Sequence, residues 1–225
     1  MPTFSQIELF LDEGYSREEN KSFILKSRCI CNYLERAIKE EKYQTDFSRV
    51  NIFCSKNITE TRVVRLKEPP LLEVFVEYDL PSLSELNESL LQKNFMKIID
   101  IGLAAAKISM PVPHEYCMNA LRNFEAGGFK NEWVQAQKMW KKLAVRCDVL
   151  AQLTIEKFTL QQFIYRGDVL LGKKKIAETK PRELLFYEYF GTLSLDQAGS
   201  IFYKNKKEVL SRFDLEKNEF VASIS

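Results

Sequence analysis

The stretch PVPHEYCMNALRNFEAGG, residues 111–128, holds the single histidine of the 225-residue chain. His114, Glu115 and Cys117 stand within one helical turn, and all three residue types serve metal sites and nucleophilic catalysis. Each of those chemistries sets a spacing. A zinc-protease helix needs H-E-x-x-H, with both histidines on one face, and the second position here is Met118. A zinc deaminase needs H-x-E and a later P-C-x-x-C; here Glu115 directly follows His114 and no C-x-x-C occurs. Zinc takes three or four protein ligands, which one histidine and the scattered Cys29, Cys31, Cys54, Cys117 and Cys147 do not supply along the sequence. A Cys–His nucleophile needs its side chains in contact. His114 and Cys117 are three apart, so a helix could bring them close. Cys117, however, falls on an apolar stripe with Tyr116, Ala120, Leu121 and Phe124, whereas His114 falls at the helix start. One bland reading covers every residue: a proline-bounded entry, His114 as a cap, Glu115 favoured by the helix dipole, and a buried Cys117. No catalytic or metal-ligating residue is assigned and no cofactor is expected. A hydrolase or transferase site around His114, Glu115 and Cys117 is the alternative.

Other catalytic motifs are missing. GGFKNEW is not the G-x-x-x-x-G-K-[ST] of a phosphate loop, no G-x-G-x-x-G occurs, and DQAGSIF lacks both glycines of a nucleophile elbow. Glu73 and Glu77 are a carboxylate pair of glycosidase type, but acids on a strand are ordinarily solvated.

The elements that position these residues follow from periodicity. TFSQIELFL (3–11) alternates as a strand and stops at Gly14. Ser16 and Glu19 form a capping box for a helix to about Glu41, with Phe23, Ile24, Ser27, Ile30, Cys31, Leu34 and Ile38 on its stripe. RVNIFCS (49–55) and TRVVRL (61–66) read as strands. LLEVFVEYDL (71–80) sets Leu72, Val74, Val76 and Tyr78 against Glu73, Phe75, Glu77 and Asp79, as for a sheet with one wetter face. A helical region spans 82–109, with Phe95, Ile98, Ile99, Gly102 and Ala106 facing inward. The helix of residues 113–126 stops at Gly127-Gly128. Asn131 is expected to cap a fourth helix carrying Trp133, Ala136, Met139, Trp140 and Leu143. Beyond it, five or six short aromatic and β-branched runs predict an antiparallel sheet or meander, with a hairpin turn at Asn205. This order predicts an α+β fold, a single domain over 1–225 with a soft internal boundary near 127–131.

Charge excludes little and suggests two surfaces. With 33 Lys+Arg and 31 Asp+Glu the net is +2. Residues 1–100 carry 14 basic and 17 acidic side chains, net −3, leaving +5 over 101–225. ELFLDEGYSREE packs Glu8, Asp12, Glu13, Glu18 and Glu19 against Arg17. It reads either as a solvated turn and helix start or as an acidic patch that meets a basic protein. GKKKIAETKPR (172–182) carries Lys173, Lys174 and Lys175, but the run has no interleaved aromatics for stacking. It reads as exposed hairpin lysines that guard a strand edge, and a nucleic-acid partner is not expected; an RNA- or DNA-binding role for Lys173 to Lys175, which would require steep salt dependence, is the weaker alternative. The odd number of cysteines without C-x-x-C suits reduced, buried thiols. MPTFSQIELFLDEGYS has no basic n-region and no apolar run of signal-peptide length, so no secretion signal is expected, and IIDIGLAAAKISM is too short to span a bilayer. A soluble, cytoplasmic protein without a membrane partner is expected.

REENKSFILKSRCICNYLERAI after a short first strand, then FSRVNIFCS, LLEVFVEYDL, and NEWVQAQKMWKKL leading into a strand-rich half, carry a further reading. In this overall texture the chain resembles the immunity proteins of bacterial polymorphic-toxin and contact-dependent growth inhibition systems. The resemblance implies a non-enzymatic protein that binds one cognate toxin domain in the cytoplasm and blocks its active site. Many such toxins are basic nucleases, for which an acidic surface mimics phosphate. Asp12, Glu13, Glu18 and Glu19 are the candidate partner-binding residues.

Overall fold

A computed structural model describes residues 2–58, 60–83 and 85–221. Among these residues the fold is α+β, with twelve strands in three sheets and four α-helices. The chain divides into two compact units, Met1–Asn131 and Glu132–Ser225.

The first unit comprises β1 (Gln6–Leu11), α1 (Arg17–Glu41), β2 (Arg49–Ser55), β3 (Arg62–Leu66), β4 (Leu71–Glu77), α2 (Glu88–Lys107) and α3 (His114–Ala126). The sheet order is β1-β2-β4-β3. β1 and β4 both run parallel to β2, and β3 is antiparallel to β4. The period-2 pattern sorts the faces. Ile7, Leu9 and Leu11, Val50, Ile52 and Cys54, and Leu72, Val74 and Val76 are all buried. They lie in register across three strands, which leaves Phe10, Phe53 and Phe75 on the other face. Those three rings stack across the sheet, with centroids 5.0 and 4.9 Å apart. α2 contributes Phe95, Ile98, Ile99, Leu103 and Ala106 to the core. Its Gly102 sits where a Cβ would come within 2.6 Å of Ile52 Cδ1, so the helix rests on β2 only because this position has no side chain.

The expected capping box at α1 is present: Glu19 N–H donates to Ser16 Oγ at 3.2 Å, and Ser16 N–H donates to Glu19 Oε2 at 2.8 Å. α2 begins later than its apolar pattern suggested, because Asn87 is the cap and accepts from Leu90 N–H at 2.9 Å. After α3 the chain turns through Gly128 at φ +72° and Phe129 at φ +59°.

The fourth helix is not formed. Asn131–Trp140 is a strand, β5, followed by one 3₁₀ turn. Asn131 does not cap it. It is buried, and its side-chain N–H donates to Cys29 O at 2.7 Å. Met139 and Leu143, which a helix would place inside, are half-exposed. Trp133, Ala136 and Trp140 mimic a helical stripe, but hydrogen bonding to the next strand decides the conformation. That pairing is outside the reach of a local period.

In the second unit β5 is followed by β6 (Val145–Leu153), β7 (Phe158–Arg166) and β8 (Val169–Thr179), which form a sheet of order β5-β6-β7-β8. A short α4 (Glu183–Phe186) leads to β9 (Thr192–Leu195), β10 (Ser200–Lys204), β11 (Val209–Asp214) and β12 (Glu219–Val221), in order β12-β11-β10-β9. Beyond Leu143 the described residues thus hold seven strands where five or six were expected. The meander is as expected, and the turn at Asn205 closes β10 on β11: its Oδ1 accepts from Lys207 N–H and Glu208 N–H at 2.8 and 2.7 Å. The two sheets share one core, with Val145, Cys147, Leu160 and Ile164 meeting Ile201, Tyr203 and Phe213. Gly172 lets β8 approach: a Cβ there would lie 2.7 Å from Phe213 Cε2.

Candidate functional site

Parallel strands end together, and ligands of open α/β sheets sit beyond their carboxyl ends. In the first unit this edge is formed by Asp12-Glu13 after β1, Lys56-Asn57 after β2 and Tyr78-Asp79 after β4. Hydrogen bonds tie the three ends into one floor. Asp12 N–H donates to Cys54 O at 2.8 Å, Lys56 N–H to Glu13 O at 3.1 Å, and Tyr78 N–H to Ser55 O at 3.0 Å. Tyr15 locks it from beneath. Its hydroxyl donates to Tyr78 O and accepts from Leu80 N–H, both at 2.9 Å. Burial raises the Tyr15 phenol above its ordinary pKa, and the Leu80 N–H partly offsets this. Gly14, at φ +91°, turns the chain from β1 toward α1.

Above this floor lies an open cleft of about 560 Å³, lined in part by Asp12, Glu13, Glu60, Arg62 and Phe75. Arg62 lies with its guanidinium carbon 4.3 Å from the Phe75 ring centroid. One wall is thus a cation on an aromatic face, and Asp12, Glu13 and Glu60 add acids to a lining that also includes Asn57 and Thr61. Lys56, beside the cleft, is turned to Asp79 at 3.6 Å and to the Tyr15 ring at 4.5 Å.

The four acids singled out in the sequence are therefore used in two ways. Asp12 and Glu13 line the cleft. Glu18 and Glu19 lie exposed in the first turn of α1, where Glu19 is committed to the capping box. The Ser16 backbone N–H, and next its hydroxyl, hold the Glu19 carboxyl below its usual range. Glu60, Arg62 and Phe75 carry no sequence signal of their own. They reach the cleft through register, because Arg62 pairs with Phe75 across β3 and β4.

His114 opens α3, and its cap position is Pro113, with no side-chain capping bond. His114 Nε2 instead meets Asp100 Oδ1 of α2 at 2.7 Å. Cys117 points into the core with no exposed surface, and burial pushes its thiol up to about 12. A thiol so hard to ionise is a poor nucleophile. Among the described residues no group of three or more His, Cys, Asp or Glu side chains is placed to hold a metal ion. No helix among them is long and apolar enough to cross a membrane.

Lys173, Lys174 and Lys175 lie in β8, the second strand of the β7–β8 hairpin and the edge strand of its sheet; the turn of that hairpin falls at Gly167-Asp168.

No family model, no curated protein and no solved structure matches the chain.

Proposed function

We propose that the chain is a non-enzymatic binding protein whose carboxyl-edge cleft receives a basic segment of a protein partner. The observation that carries this reading is the placement of Asp12 and Glu13 on a hydrogen-bonded floor, with Glu60 also lining the cleft. Carboxylates held on rigid elements steer and orient a Lys or Arg side chain without reorganisation on binding. Arg62 on Phe75 adds the Arg and aromatic character of interface hot spots. An immunity protein that masks a basic toxin domain in the cytoplasm is the specific form of this reading.

The test is co-expression with the product of the adjacent upstream gene, followed by titration calorimetry of the purified pair. Asp12→Lys with Glu13→Lys should weaken a tight complex by tenfold or more and slow association. Glu18→Lys should act mainly through long-range charge. Unchanged affinity in the double variant removes the cleft from the interface.

The 2.7 Å His114–Asp100 contact favours a second reading, a proton-transfer pair in a hydrolase or transferase without Cys117 as nucleophile. Loss of a screened activity in His114→Ala, with the fold intact, would support it over the binding role.

A further inference from the structure

The outward face of the β5–β8 sheet has features that the charge run of β8 alone does not reveal. Alternation along β7 sends Leu160, Gln162 and Ile164 inward, all buried, and leaves Phe163 and Tyr165 half-buried on the outer side. Their rings are nearly parallel, 12° apart in tilt, with centroids separated by 6.4 Å. Register then places cations beside both. Phe163 pairs with Lys173 across β7 and β8, and Tyr165 pairs with Arg146 across β6 and β7. Lys173 Nζ is 5.1 Å from the Phe163 centroid, and the Arg146 guanidinium carbon is 4.5 Å from that of Tyr165. The aromatics missing from the lysine run itself thus stand on the neighbouring strand.

Two acids on this face are already engaged with its cations. Asp148 holds Arg146 at 3.1 Å and accepts from Gln137 at 2.9 Å. Glu178 pairs with Lys157 at 2.9 Å and with Lys175 at 3.3 Å. The second unit carries 16 Lys+Arg and 12 Asp+Glu over residues 132–225, a net +4.

We propose that this face binds single-stranded nucleic acid, with bases stacking on Phe163 and Tyr165 and phosphates meeting Arg146, Lys173 and Lys175. Single strands are held this way, by aromatic faces that accept any base beside cations that track the backbone. Lysines that only protect the edge strand β8 need no ring beside them. The proposal uses none of the cleft residues and stands or falls without that reading.

The test is fluorescence anisotropy of labelled oligothymidylate and oligouridylate of about ten nucleotides, titrated with the full chain. The expected result is binding that weakens with salt, with a log–log slope of about −0.7 per phosphate contacted. Phe163→Ala and Tyr165→Ala should each lower affinity about tenfold and leave that slope unchanged. Lys173→Ala with Lys175→Ala should flatten it by about 1.4. Phe163→Leu keeps apolar bulk at a half-buried position and guards against loss of fold, checked by its unfolding midpoint. Full affinity in Phe163→Leu would overturn the proposal, as would equal binding of duplex DNA or no binding at low ionic strength. If only one of the two oligomers binds, that result supports the site and assigns it to DNA or to RNA.

Discussion

Arg28 and Glu35 form a buried ion pair on α1, at 3.2 Å, that closes on the peptide groups of a single β1 residue. Ile7 N–H donates to Glu35 Oε1 at 3.2 Å, and Ile7 C=O accepts from Arg28 Nη1 at 3.3 Å. β1 is an edge strand, so these groups would otherwise lack sheet partners. The helix that follows the strand supplies them, which blunts the edge against pairing with another chain.

This arrangement makes the pair expensive to break from one side. Arg28→Met or Glu35→Gln is expected to cost about 3–5 kcal/mol, because one buried charge loses the opposite charge beside it. The double variant recovers part of that but stays about 1–3 kcal/mol below the parent, since Ile7 C=O loses its Arg28 donor even though a glutamine oxygen still accepts from Ile7 N–H. Urea unfolding of the four proteins in a double-mutant cycle measures both quantities.

The thiols are expected to be inert in the folded protein. Burial pushes Cys29, Cys54, Cys117 and Cys147 up to about 12, and Cys31 is buried as well. Near pH 8 almost no thiolate is present, so a chromogenic disulfide reagent should titrate essentially none of the five until denaturant is added. Rapid native labelling of Cys117 would revive the nucleophile reading.

The capping box of α1 should show in the pH dependence. The folded carboxyl of Glu19 titrates below its unfolded value, because the Ser16 N–H and hydroxyl bond the charged form. Its contribution is therefore complete above the unfolded value and is lost as pH falls through the lower, folded one. Carbon-detected NMR titration should place Glu19 below an ordinary glutamate. Ser16→Ala should move it back toward the usual range and cost about 1 kcal/mol.

Tyr203 is a hydroxyl buried among apolar side chains. It accepts from Gly191 N–H at 2.8 Å and donates to Tyr189 O at 3.1 Å, and burial raises it to about 12. Tyr203→Phe orphans the Gly191 amide and should cost about 1–3 kcal/mol in thermal unfolding. No other residue fits at 191, because a Cβ there would collide with the backbone carbonyl of Lys204.

What could be read from the sequence was local. Ser16 and Glu19 are three residues apart, and the alternation within residues 71–77 lies inside one strand, so both were legible. The partners that shape the candidate sites are not local. Asp100 meets His114 from another helix, Arg62 reaches Phe75 across a strand pair, and Phe163 finds Lys173 across a hairpin. Trp133, Ala136 and Trp140 misled for the same reason, since a spacing of three and four fits a helix until the pairing of β5 with β6 is known.

The topology also sets a timetable. In the second unit each sheet neighbour is also the next strand in sequence, β5 through β8 and β9 through β12, so every ladder closes over a short turn. In the first unit Gln6 must find Arg49 with all of α1 between them. Closing that loop is entropically dearer and slower than closing a hairpin. In pulsed hydrogen exchange during refolding, the amides of β6 and β7 should be protected before those shared by β1 and β2. Until α1 docks, Ile7 has nothing to bind on its outer side, and the parallel edge is the last part of the molecule to become safe from association with other chains.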